Sequence, residues 1–165
     1  AMVMWMSFRI NKMSPAKART LFYVYAALMG VSLSVILLTF TGASVARSFF
    51  ITAGAFAGLS IYGYTTTRDL TAMGGFLIVG VFGLILASIV NLFVQSSGME
   101  FLISIVGVLL FAGLTAYDTQ KIKSMYYAGD SRDVAARKSI FGALTLYLDF
   151  INMFLFMVQL LGNRE

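Results

Sequence analysis

Cysteine and histidine are both missing from these 165 residues. Without thiols there are no disulfides, and without thiolate or imidazole ligands the usual zinc sites are excluded. Ser-His and Cys-His nucleophile pairs go with them, as does His-dependent intramembrane proteolysis. Proline occurs once, at Pro15 in a polar linker, so no apolar stretch is proline-kinked. Charge is scarce as well. Charged residues make up 12% of the chain, about half the ~25% of soluble domains. What fills the space is apolar: 59% of residues are hydrophobic, with a mean hydropathy of +0.87. That balance excludes a soluble domain with a large core and indicates an integral membrane protein.

The chain opens at Ala1 on a short apolar run, Ala-Met-Val-Met-Trp-Met-Ser-Phe. Such a run cannot cross ~30 Å of hydrocarbon at ~1.5 Å per residue. Its charges, Arg9 and Lys12, follow it, the reverse of a signal peptide. The opening therefore reads as the tail of a span whose start lies upstream, and the chain as N-terminally truncated. Five longer apolar stretches follow, at residues 21–40, 49–64, 73–94, 101–117 and 140–161. Each approaches the ~20 residues that a spanning helix needs. Linkers are short except the polar, charged segment 120–139. The expected fold is an all-α, multi-span helical bundle forming one domain over residues 1–165, with five complete spans plus the end of a sixth.

Linker charge sets the expected topology. Residues 9–19, 65–70 and 119–139 hold Arg9, Lys12, Lys17, Arg19, Arg68, Lys121, Lys123, Arg132, Arg137 and Lys138, whereas the opposite side holds only Arg47 and Arg164. Ten basic residues against two is a positive-inside pattern, which puts the first set in the cytoplasm and the C-terminus outside. Topology thus accounts for the net charge of +5, and no nucleic-acid partner is expected. Spans two and three are rich in glycine, with a GxxxG step at Gly54–Gly58 and further glycines at 74, 75, 80 and 83. Small residues let helix backbones approach in lipid, and packing within the bundle is the expected use here.

Two carboxylates stand out because they lie inside apolar stretches: Asp118 and Asp149. A charge there costs several kcal/mol unless it is protonated, paired or hydrated. Asp149 belongs to a polar stripe of Thr145, Asp149, Asn152 and Gln159, whose spacing keeps one helical face. A thinner stripe of Ser104, Gly107, Phe111, Thr115 and Asp118 lies on the preceding span. The two spans are consecutive and antiparallel. A last helix starting at Ser139 places Asp149 ~15 Å in; a start near Val134 brings the two acids to similar depth. They would then share a site. Close carboxylates cannot both stay ionised cheaply, so the pair would hold one proton near neutral pH. Losing that proton adds repulsion and pushes the helices apart, a pH-sensitive latch. When both are ionised, their oxygens suit transient contact with a hard cation such as calcium. The alternative is that each acid pairs separately with a base, Asp118 with Lys121 or Lys123. Tyr117 and Tyr147 adjoin the acids as hydrogen-bond donors or interface anchors. Asp69, Asp130 and Asp133 read as solvated loop charges, and Glu100 as an acid suited to a helix start.

Three segments carry a family resemblance. Ser60-Ile-Tyr-Gly-Tyr-Thr-Thr-Thr-Arg-Asp-Leu, Leu114-Thr-Ala-Tyr-Asp-Thr-Gln-Lys-Ile-Lys and Gly142-Ala-Leu-Thr-Leu-Tyr-Leu-Asp-Phe-Ile-Asn resemble the bacterial branch of the Bax inhibitor family, the transmembrane BAX inhibitor motif proteins. The resemblance covers essentially the whole chain. It implies a seven-span fold with the last helix central, of which this chain supplies the end of span two through span seven. It also implies a pH-sensitive calcium leak gated by paired aspartates, at Asp118 and Asp149, with Arg9 matching an arginine that latches the closed state. The family's span one, and an acidic position in its span two, have no counterpart here. No tightly bound cofactor is implied; calcium is the permeant ion. The implied location is the bacterial inner membrane.

Three functions fit these residues. A passive calcium leak, closed while the aspartates share a proton, leads. A proton-coupled transporter would use the same carboxylates as relays. A non-conducting regulator of membrane-protein quality control or cell-stress response would instead bind a membrane protease or other membrane protein, with residues 120–139 as the contact. An enzyme is not expected, because no nucleophile–base set stands out and Leu146-Tyr-Leu-Asp149 lacks the Gly-x-Gly-Asp of intramembrane aspartic proteases.

Overall fold

The computed structural model describes residues 2–163 and is built from helices. In order, these are α1 (Met2–Arg9), a 3-10 turn (Ile10–Lys12), α2 (Pro15–Thr39), α3 (Gly42–Thr65), α4 (Thr71–Val94), α5 (Ser97–Ser124) and α6 (Arg132–Leu161). Arg164 of the charge count lies outside the described residues, as does Ala1. Each of α2 to α6 has 24 to 30 residues, enough at ~1.5 Å per residue to cross ~30 Å of hydrocarbon. The protein is an all-α, multi-span membrane protein.

The helices run further into the polar linkers than the apolar stretches do, because hydroxyl caps begin them there. Ser14, Thr41, Ser96 and Ser131 each accept a backbone N–H three residues on, opening α2, α3, α5 and α6. Pro15 takes the first position of α2, where its missing N–H costs nothing. Leu70 provides no side-chain cap for α4, so other groups do the job. Leu70 N–H donates to Gln120 Oε1 at 2.9 Å, and Thr71 N–H to Asp69 Oδ1 at 2.9 Å. The long polar linker of the sequence shrinks accordingly. Only residues 125–131 lie outside helix between α5 and α6.

Burial identifies the centre. Of their most apolar stretches, 44% of α6 and 39% of α5 are buried, against none of α2. α6 packs on α5, α3 and α2, while α5 packs on α6, α3 and α4. The last helix, α6, is thus the most buried, with α5 beside it next. The outward faces of α2 and α4 carry Leu38, Val79, Phe82 and Phe93, all exposed and suited to lipid. Polar side chains are turned inward instead: the buried ones, Ser44, Ser48, Thr52, Ser104, Thr115 and Asp149, all lie on α3, α5 and α6.

Hydrogen bonds gather the linkers into two ends, as the charge pattern anticipates. At one end, Arg137 Nη1 donates to Asn11 O and Met13 O, Lys123 Nζ to Tyr64 O, and Gln120 Nε2 to Arg68 O. At the other, Thr41 N–H donates to Asn163 O and Asn163 N–H to Ser44 Oγ. One packing expectation needs correction. A β-carbon at Gly54 or Gly58 would meet nothing within 4 Å, so that GxxxG step makes no close approach among the described residues. Close approach occurs at Gly63 against Ala116, at Gly74 against Tyr117, at Gly80 against Leu110 and at Gly107 against Phe156. The motif's spacing does not say which glycine faces a neighbour; the helix's rotation does.

Candidate functional site: an aspartate pair across the α5–α6 seam

The two stripes read from the sequence meet face to face. Ser104 Oγ lies 3.4 Å from Gln159 Oε1. One turn on, a β-carbon on Gly107 would sit 2.6 Å from the Phe156 ring, so only glycine fits there. Phe111 stacks on Phe156 with centroids 6.0 Å apart. Near the far end, Ile122 packs on Gly142. Numbers rise on α5 as they fall on α6, the order of an antiparallel seam. Asp118 and Asp149 occupy matching positions in it, and their carboxyl groups come within hydrogen-bonding reach of each other. The early start of α6, at Arg132, is what brings Asp149 level with Asp118.

Asp149 is 5% exposed, and its Oδ2 has no hydrogen-bond partner among the described residues. Asp118 is partly buried, with Lys121 close enough to act on its charge. Neither lysine of its helix end forms an ion pair with it: Lys121 lies 6.0 Å over the Tyr117 ring, and Lys123 4.6 Å over that of Tyr64. Among the described residues the one ion pair is Lys138–Asp130, which joins α6 to the α5–α6 loop. The arrangement is thus a carboxyl–carboxyl contact in a largely apolar setting.

The other expected residues divide. Thr115 is fully buried three residues before Asp118, but its hydroxyl donates to Phe111 O; Thr145 donates likewise to Phe141 O. Asn152 donates to Leu148 O and faces a 440 Å³ cavity between α4, α5 and α6. Tyr117 turns its ring onto Gly74 of α4, and Tyr147 packs edge-on against Phe22 and Tyr25 of α2. Both tyrosines thus pack away from the seam. Arg9 is exposed and stacks over Trp5 at 5.4 Å, and among the described residues it makes no contact with either aspartate. As a metal site the pair is sparse. Among the described residues no third acid joins it, and two carboxylates fall short of the six to eight oxygens that resident calcium takes. Transient contact with a passing cation needs fewer.

Three features escaped the sequence. Gln120 clamps the α3–α4 linker from both sides of its amide, and Arg137 ties the turn after α1 to α6. The hydroxyl line of α3, Ser44, Ser48 and Thr52, is buried. Its four-residue spacing was the available signal. In the linker, Thr71 donates twice to the exposed Asp69, which holds that carboxyl below its ordinary range.

Comparison with known proteins follows the same lines. A family model described as "Inhibitor of apoptosis-promoting Bax1" matches residues 1–165. RP147 of Rickettsia prowazekii is 51% identical over 165 residues, covering 100% of this chain and 69% of that protein. A protein of Borreliella burgdorferi is 51% identical over 157 residues, 94% of this chain and 68% of its own length. The inner membrane protein YbhL of Escherichia coli K12 is 46% identical over 167 residues, 100% of this chain and 71% of YbhL.

Proposed function

The chain belongs to the Bax inhibitor family, and from that premise we propose that it forms the gated part of a calcium leak in a bacterial inner membrane. The observation that carries this reading is the meeting of Asp118 and Asp149 across the seam of the two most buried helices. While one proton is shared, the carboxyls hold α5 and α6 together. Once it leaves, two like charges remain at close range. At ~4 Å and an effective dielectric of ~20 their repulsion is about 4 kcal/mol. That amounts to roughly a thousandfold shift in a closed–open equilibrium. Flux should therefore climb as pH rises through the titration of the pair. Calcium is the cargo: hard, oxygen-seeking and drawn to an ionised carboxylate pair. The positive-inside pattern puts the Gln120 end in the cytoplasm and the C-terminus outside.

The regulator reading has less support. Within residues 120–139, Gln120 and Arg137 donate to carbonyls of the other linkers, Lys123 to Tyr64 O at the end of α3 and Lys138 to Met125 O, which ties much of the segment to its own fold. Calcium efflux from liposomes carrying the intact protein, followed with an indicator across a pH series, tests the proposal. A leak dissipates the gradient without moving protons in fixed ratio. Stoichiometric proton movement would instead indicate the coupled transporter.

A further inference from the structure

The buried hydroxyls of α3 have no part in the aspartate contact, yet they occupy the same core. Ser44, Ser48 and Thr52 follow at four-residue spacing and are 4%, 0% and 0% exposed. At ~1.5 Å per residue they mark about 12 Å of one buried helix face. Contacts along α3 fix the level of this line. Ser44 accepts the N–H of Asn163, at the end of the bundle where α6 stops. Phe49 packs on Phe154 and Phe150, and Phe56 on Phe150 again, so Thr52 lies level with the neighbour of Asp149. The line thus leads from the Asn163 end to the depth of the aspartate pair, closed in by α5 and α6.

Ordinary helix packing explains part of it. Thr52 donates to Ser48 O at 2.7 Å, and Ser44 Oγ accepts from Thr41 Oγ1 and from Asn163 N–H. It does not explain the rest. Three buried side-chain atoms have no hydrogen-bond partner among the described residues: Ser48 Oγ and Ser60 Oγ on α3, and Asp149 Oδ2 on α6. Buried polar atoms in proteins are nearly always satisfied, and the exceptions indicate a water, an ion or a working role. Ser48 Oγ lies in the middle of the hydroxyl line, and Asp149 Oδ2 belongs to the acid at whose depth the line ends. Neutral hydroxyl and carbonyl oxygens are also suitable stepping points for a hard cation, binding it weakly enough to let it leave.

We propose that the α3 hydroxyl line of Ser44, Ser48 and Thr52, closed by α5 and α6, is the hydrated route by which a hard cation passes between Asp149 and the Asn163 end of the bundle. The inference rests on the leak reading for its cargo, but its geometry stands apart from the gate.

The absence of native cysteine makes the test clean. Ser48→Cys and Thr52→Cys each introduce one nearly isosteric thiol, and Phe50→Cys, 72% exposed on the lipid-facing side, is the control. Intact protein in liposomes is treated from each side with a cationic, membrane-impermeant methanethiosulfonate, and the mass shift and calcium flux are read together. Positions 48 and 52 should label from the Asn163 side many-fold faster than position 50, and faster at pH values where flux is high. Ser48→Val should slow flux several-fold while Ser48→Thr restores it. Flux with position 48 as inert as position 50 overturns the route and leaves the leak intact. Labelling without flux shows water at the line but overturns both the leak and the line's part in carrying a cation. Neither labelling nor flux overturns both.

Discussion

Replacing Gly63 by alanine puts the α3–α5 contact under direct strain. A β-carbon there would lie 2.2 Å from the carbonyl oxygen of Ala116 and 2.9 Å from its carbon. Those are backbone atoms, so no side-chain rotation relieves the clash; the helices must part by about 1 Å, which forfeits a quarter to a half of each contact's attraction. Overpacking of this kind costs about 1–3 kcal/mol, against a gain of about 1 kcal/mol from replacing glycine in a helix. Gly54→Ala, on the same helix with nothing within 4 Å, keeps the gain without the clash. The two variants should therefore differ by about 2 kcal/mol, or about 4–8 °C in melting temperature for a chain of this size. Thermal unfolding of the purified protein in detergent reads the difference. Because Ala116 is two residues from Asp118, Gly63→Ala should also weaken the aspartate contact and raise flux at low pH. Equal melting temperatures for Gly63→Ala and Gly54→Ala would refute the packing argument.

Other consequences can be checked singly. Gln120→Ala removes both hydrogen bonds to the α3–α4 linker and should cost about 1–2 kcal/mol, with faster hydrogen exchange at the Leu70 amide. Lys138→Met breaks its contacts with Asp130 and Met125 O, half-buried groups; a loss of about 1 kcal/mol and quicker proteolysis within residues 125–131 are expected. The Asp69 carboxyl should titrate below the ~3.9 of a free aspartate in carbon-detected NMR. Its folded value is depressed by Thr71, so its stabilising effect is present above the unfolded value and fades as pH falls through the folded one. Thr71→Val should return Asp69 towards the free value.

Much of this architecture is legible in the residues. Apolar length defines five spans, and the two polar stripes define the faces that meet. The spacing of Asp149 from Thr145 and Asn152 belongs to a helix whatever surrounds it, so periodicity alone could find the stripe. Partner choice is different. Tyr117 and Tyr147 adjoin the acids in sequence, but each successive helical residue turns by about 100°, so both rings point to other helices. Gly54 and Gly58 have the spacing of a packing motif, yet rotation of α3 points them outward and gives the close approach to Gly63. Gln120 and Arg137 act across 50 or more residues of sequence, on backbone groups that no side-chain pattern reports.

Central to the proposed leak is the aspartate pair as its gate. Calcium efflux from liposomes, measured across a pH series for the intact protein and for Asp149→Asn, tests it most directly. Asparagine keeps the size and some hydrogen-bonding capacity of the carboxyl but cannot ionise, so flux through the variant should lose its dependence on pH. A variant that keeps the unaltered protein's pH profile would contradict the account.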